Sequence, residues 1–213
     1  MQCSTPKTMA YLILFICLSI SPTSHADNWT LKKQKNNVSV YSQTTESGYS
    51  QVLATTQIQV HPLALIALFD DIESTPKWVH NCSKVTILEK ISTSERLVHS
   101  FFAAPWPIKD RDMVTYSNTT YSEGTVKIEI SDRSTLILNH PKFVRMTNMH
   151  GVWKATPTSE GMTEISYQGG GNPGGRIPAF IANKELVSSI YNTFLNLNKI
   201  LPSENYLPKN VTP

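Results

Sequence analysis

The chain has 213 residues, with 19 Lys and Arg against 16 Asp and Glu and a formal net charge of +3. That balance makes neither nucleic acid nor an acidic membrane surface a default partner, and no nucleic-acid binding is expected. Residues 1–26 carry the features of a removable export signal. Lys7 gives a weak positive start, Ala10 to Ile20 is an apolar run too short to span a bilayer, and Ser24-His25-Ala26 places small residues before a cut at Asp27. Cys17 invites a lipoprotein reading, but Ile16 is too bulky for the small residue that such processing needs. Without Cys3 and Cys17, Cys82 stands alone, so an exported domain must rely on its core and cannot build a paired-cysteine redox or zinc site. A periplasmic or secreted location is expected.

From Asp27 to Asn37 the chain is polar, with Trp29 and Leu31 as small anchors. Val38 to Gln43 alternates as a short strand, and Tyr49 to Val60, rich in Val, Thr and Ile, is a longer one. His61-Pro62 opens a helix with Leu63, Ile66 and Ala67 on one side, and Glu73 to Val79 is a second short helical or turn segment. Strands resume at Lys84 to Ile91 and at Arg96 to Ala104. Two prolines exclude Ala104 to Asp110 from a central strand. Arg111 to Ser122 and Val126 to Ser131 are strands joined at Glu123-Gly124, and Asp132 to Lys142 reads as loop with some extended structure. Phe143 to Thr156 and Met162 to Gln168 form a last hairpin.

Asn172 to Leu201 holds the strongest helical pattern. The glycines between Gly169 and Gly175 read as a hinge, and Pro178 suits a first helical turn. Phe180, Val187, Ile190, Phe194, Leu197 and Leu201 fall on one stripe, and Pro202 ends the run. Residues 202–213 are expected to form a frayed, disordered tail. Consecutive strands followed by one long one-sided helix predict an α+β domain over 27–201 with an antiparallel sheet. A twisted sheet curling around such a helix leaves a space between them.

Few residues suggest catalysis. His99 and His150 lie on predicted strands and read as packed or solvated, because no serine or cysteine motif surrounds them. His80 and Cys82 are two ligands at most and make no metal site. Asp110-Arg111-Asp112 reads first as salt-bridged residues opening a strand and second as polar contacts to a ligand. The glycine run lacks the Lys-Ser/Thr of a phosphate loop. No cofactor or metal is expected.

The run LFDDIESTPKWVHNCSKVTILEKI (68–91), the segment PWPIKDRDMV (105–114) and the run NPGGRIPAFIAN (172–183), in this order, resemble the START lipid-transfer domains, most closely their exported bacterial members within the wider Bet v 1-like superfamily. The resemblance spans Trp29 to Leu201. It implies a helix-grip fold, in which a curved antiparallel sheet wraps the long C-terminal helix around a hydrophobic tunnel. It also implies non-catalytic binding of a sterol, phospholipid or other apolar ligand. In that family the arginine matching Arg111 often points into the cavity and pairs with an acidic residue on the preceding strand. Here that acidic position falls on Ser100. A buried unpaired charge is costly, so Arg111 must find Asp132 or Glu164, face solvent, or meet a ligand headgroup. Asp112 points to the other face of the strand and is a poor substitute.

These readings give a monomeric carrier of a lipid or other hydrophobic small molecule, with transient membrane contact. The competing readings are a cyclase- or hydrolase-like enzyme of the same superfamily and a protein-interaction module with a filled core. The expected ligand-binding residues are Arg111, Met113 and Thr115 by strand alternation, with Ser100, Ile177, Phe180, Val187 and, at the cavity mouth, Trp106. Ser117 continues the alternation. Ile177 to Asn183 and the Trp106 loop are the expected gate.

Overall fold

The computed structural model describes Met1, residues 28–159 and residues 161–206. The export signal and its cleavage site lie outside the described residues. The described residues form ten strands: β1 (Thr30–Lys35), β2 (Val38–Thr44), β3 (Ser50–Ile58), β4 (Cys82–Lys90), β5 (Glu95–Phe102), β6 (Arg111–Ser122), β7 (Thr125–Asp132), β8 (Val144–Arg145), β9 (Thr147–Pro157) and β10 (Thr163–Asn172). Between β3 and β4 lie α1 (Ala64–Asp70), a 3-10 turn (Ile72–Ser74) and α2 (Thr75–Trp78), and after β10 comes α3 (Ala179–Ile200).

The strands form one sheet in the order β1-β2-β3-β10-β9-β7-β6-β5-β4, antiparallel at every step. The short β8 pairs parallel with the start of β6. Hairpin chemistry fixes much of this register. Asn36 and Asn37 both take positive φ in the two-residue turn between β1 and β2, and Glu123 and Gly124 do the same between β6 and β7. Two left-handed residues in sequence make the turn whose twist matches that of paired strands.

Burial alternates strictly along β3 and along β2 up to its last residue, so Val38, Val40, Val52 and Ala54 face inward. On that face α3 lies across β1, β2 and β3, seating Phe194, Leu197 and Leu201 at zero exposure. Trp153 of β9 stacks on Phe194 at 5.5 Å and meets Trp78 edge-on at 5.8 Å, with Phe69 against both tryptophans. The helix therefore covers the β1–β3 half, and the β4–β6 half curls away from it.

Three elements differ from the sequence reading. Strand β1 was not expected, because every residue in it is exposed and it shows no apolar alternation. Gly169 to Gly171 belong to β10 rather than to a hinge. They are glycine for close approach: a Cβ on Gly169 would overlap the Tyr167 hydroxyl and come within 2.5 Å of the His150 carbonyl oxygen. Only the 173–178 part of the run is irregular, with positive φ at Gly174 and Gly175. Finally, residues 202–206 are not frayed. Tyr206 is buried and donates to Asp71 Oδ2 at 2.8 Å, tying the chain past α3 to the end of α1.

Candidate functional site: an internal cavity

A cavity of about 660 Å³ lies between α3 and the β4–β6 half of the sheet. Its long wall follows from strand alternation. Arg96, Val98, Ser100 and Phe102 of β5 face it, beside Arg111, Met113, Thr115 and Ser117 of β6. The pairing of Phe102 with Arg111 marks one end, and that of Arg96 with Ser117 marks the other. At strand rise this wall runs for about 20 Å.

The two ends differ chemically. Around Arg111 the loop carrying Pro105 and Ile108 and the segment carrying Ile177 and Ile181 close over the space. At the far end Arg96 reaches Asp70 at 2.9 Å, and Phe69, Trp78 and Trp153 form an aromatic floor. Tyr167 lies over Gly151 and Gly169, where any side chain would collide with its ring. Enclosure by the cavity wall pushes the Tyr167 phenol up to about 12, so it remains a neutral hydroxyl.

Arg111 is 8% exposed. Its guanidinium donates to the Lys109 carbonyl, and it makes no ion pair among the described residues. Burial pulls its pKa down, while the nearby Asp110 opposes that pull. Asp110 itself is exposed and uses Oδ1 to accept from the Ala104 N–H at 3.0 Å. The acceptors suggested by the sequence are not used: Asp132 caps Ser134, and Glu164 is exposed on β10. The open-solvent alternative fails as well, because Arg111 is buried.

The structure thus gathers Arg111, Met113, Thr115, Ser100 and Ile177 on one cavity. It separates three other expected residues from the lining. Trp106 is 92% exposed on its loop, and Pro105 and Ile108 border the cavity in its place. Phe180 is 74% exposed, because Asn183 of the same stretch bonds Gly48 and Ser50 and Phe180 faces outward. Val187 packs on the hydrophobic core under the helix. From α3, Ile181, Leu186 and Ile190 line the space instead.

The opposite face of β6 carries a group that sequence reasoning missed. Asp112 is 1% exposed and accepts from Arg145 Nε at 3.0 Å and Nη2 at 2.7 Å, with His99 Nε2 at 2.8 Å. Burial would raise the Asp112 pKa, but the bonds and charges of Arg145 and His99 outweigh it and hold the carboxyl below its usual value. Arg145 Nη1 also donates to the carbonyls of Ser134 and Ile137, pinning the 133–143 loop to the sheet. His99 does reach a titratable group, but on the side of the sheet away from the cavity. His150 borders the cavity, and its Nδ1 sits 3.2 Å from the Asn148 carbonyl oxygen.

The sequence matches the START domain family over residues 18–199. A relative in Pseudomonas aeruginosa, an uncharacterized protein, is 30% identical over 174 residues, which is 81% of this chain and 86% of the relative. A solved fragment, residues 25–204, of the STAR-related lipid transfer protein of Xanthomonas axonopodis superposes with a TM-score of 0.76 at 21% identity, covering 83% of this chain and all of the fragment. Human STARD10 gives 0.72 at 18% identity, covering 81% of this chain and 72% of its own. The ZhuI aromatase/cyclase of Streptomyces shares the fold more distantly, with a TM-score of 0.51 at 12% identity, covering 73% and 92%. These structures share the curved antiparallel sheet and C-terminal helix of the helix-grip fold. The chain belongs to the START domain family.

Proposed function

We propose that this chain is an exported, non-catalytic carrier that holds one lipid or other hydrophobic small molecule in its cavity. The observation that carries the reading is the cavity itself. A space of about 660 Å³ walled by Val98, Phe102, Met113, Ile130 and Trp153 is far larger than a packing defect and falls in the usual range of ligand sites. Well-packed cores do not leave such a volume, so a filled interaction module is disfavoured. Burying about 400 Å² of apolar ligand surface would supply about 10 kcal/mol before the losses of association. Relatives described as lipid transfer proteins share the fold. Export rests on residues 1–26, and a monomer is the simplest state for such a carrier. Trp106, Phe180 and Ile181, exposed beside the mouth, fit brief membrane contact during loading.

The fold is also used by an aromatase/cyclase, which gives the enzymatic reading its standing. Acid–base chemistry on a bound ligand needs a positioned pair inside the cavity, and the His99–Asp112 pair faces away from it. Native mass spectrometry of the protein purified from its own compartment tests the carrier reading. A bound apolar molecule, recovered unchanged after prolonged incubation, is the expected result. Conversion of that molecule would favour the enzyme, and an empty protein that takes up no apolar probe would refute the carrier.

A further inference from the structure

We infer that the cavity selects an amphipath with an oxyanion head, a carboxylate or phosphate, bound with that head against Arg111 and its apolar tail running towards Phe69, Trp78 and Trp153. The inference rests on the carrier reading and adds ligand class and orientation to it. Two arginines sit at adjacent register positions on opposite faces of the sheet, since Arg111 pairs with Val144 and Asp112 with Arg145. Arg145 is fully provided for by a two-pronged carboxylate and several carbonyls. Arg111, as deeply buried, has the Lys109 carbonyl and no carboxylate, and it lines the cavity. A guanidinium carries five N–H donors in a fixed fork suited to an oxyanion. A buried cation with no ion pair, helped only by the charge of the exposed Asp110, is an unfavourable arrangement that a bound anion relieves.

The surroundings support this orientation. Ser100 is the diagonal neighbour of Arg111 on the same face, and it is neutral. Glu185 is the acidic residue of the lining, and it lies exposed on α3, where it accepts from Ser189 and Asn81. At the far end Arg96 already has Asp70. Trp78 Nε1 also lacks a partner among the described residues, but that nitrogen is shut off from solvent at the end of the cavity away from Arg111. Gly175 brings the backbone close to the guanidinium: a Cβ there would lie 3.8 Å from Arg111 Nη2.

The test uses delipidated protein and two fluorescent probes of equal length, cis-parinaric acid and its methyl ester. The acid should bind about 10–100-fold more tightly, the scale of a charge-assisted hydrogen-bonded pair. Arg111→Met should collapse that preference to near unity, and so should Ser100→Glu, which supplies a carboxylate in place. The second variant keeps the arginine and guards against a folding defect in the first. Inorganic phosphate alone, up to millimolar concentrations, should not displace the acid. Equal affinities for acid and ester overturn the inference and leave the carrier reading standing. A preference that survives both substitutions, or displacement of the acid by free phosphate, overturns it too. Failure of both probes to bind removes the carrier reading instead.

Discussion

Replacing Asp112 by Asn tests the buried group on the outer face. The change keeps the shape of the side chain and removes its charge. Arg145 would then hold its guanidinium among the carbonyls of Ser134, Ile137 and Leu138 with no counter-charge, and His99 would lose its carboxylate. Breaking one partner of a buried ion pair typically destabilises by about 3–5 kcal/mol. For a domain of this size, about 4 kcal/mol corresponds to a loss of roughly 8–16 °C in Tm. Urea unfolding followed by tryptophan fluorescence should show a midpoint lower by about 1–3 M. The pH dependence has a definite sign. Asp112 has a lowered pKa when folded, so the unfolded chain takes up its proton first as pH falls. The stabilisation is present above about pH 4 and is lost as pH falls through the folded pKa, so the gap between the two proteins should narrow on the acid side. The double variant Asp112→Leu with Arg145→Met should recover much of the loss, because a buried ion pair is often matched by apolar packing. Affinity for an apolar probe should persist in the folded fraction, since the group lies across the sheet from the cavity. A single-variant loss below about 1 kcal/mol would refute the reasoning, as would a double variant less stable than Asp112→Asn.

Three further outcomes are expected. Asn183 accepts from the Ser50 N–H at 2.8 Å and donates to the Gly48 carbonyl at 3.0 Å. If the start of α3 must lift to admit ligand, Asn183→Ala should raise ligand off-rates by about 5–30-fold, read by stopped-flow displacement, and unchanged rates would place the gate elsewhere. Gly169→Ala should destabilise by about 1–3 kcal/mol in thermal melts, because the methyl group meets the Tyr167 hydroxyl and the His150 carbonyl. Trp106→Ala combined with Phe180→Ala should leave the melting temperature within about 2 °C, as exposed residues do, and lower binding to vesicles in a sedimentation assay. Unaltered vesicle binding would remove the membrane role of these two side chains.

What the sequence disclosed and what it hid follow from the same physics. Strand β6 was legible to the residue because Arg111 to Ser122 is bounded by a proline-rich break and a Glu-Gly turn. Its alternation placed Met113, Thr115 and Ser117 on the cavity wall. The core half of α3 was legible because Phe194, Leu197 and Leu201 answer to one buried surface. The first turns of the same helix were not, because apolar periodicity reports that a face is greasy without reporting what lies beneath it. Phe180 continues the stripe and faces outward, while Ile181, off the stripe, borders the cavity. Edge strand β1 was hidden for the opposite reason, since hydrogen bonding to β2 needs no apolar pattern.

Arg145 shows the deeper limit. It follows a loop of irregular structure, and its partner Asp112 is 33 residues away in sequence. A long-range ion pair leaves no local periodicity to read. The departure at Ser100 was legible only through the resemblance to START domains, which implies an acidic residue there, and that absence is informative only when the facing arginine is buried. With Arg145 neutralised through Asp112 on the outer face, no carboxylate remains on β6 to turn inward, and the exposed Asp110, bonded to the Ala104 N–H, acts on Arg111 through its charge without forming an ion pair. The strand pairing therefore sets Arg111 on the cavity face and the paired Asp112 and Arg145 on the other.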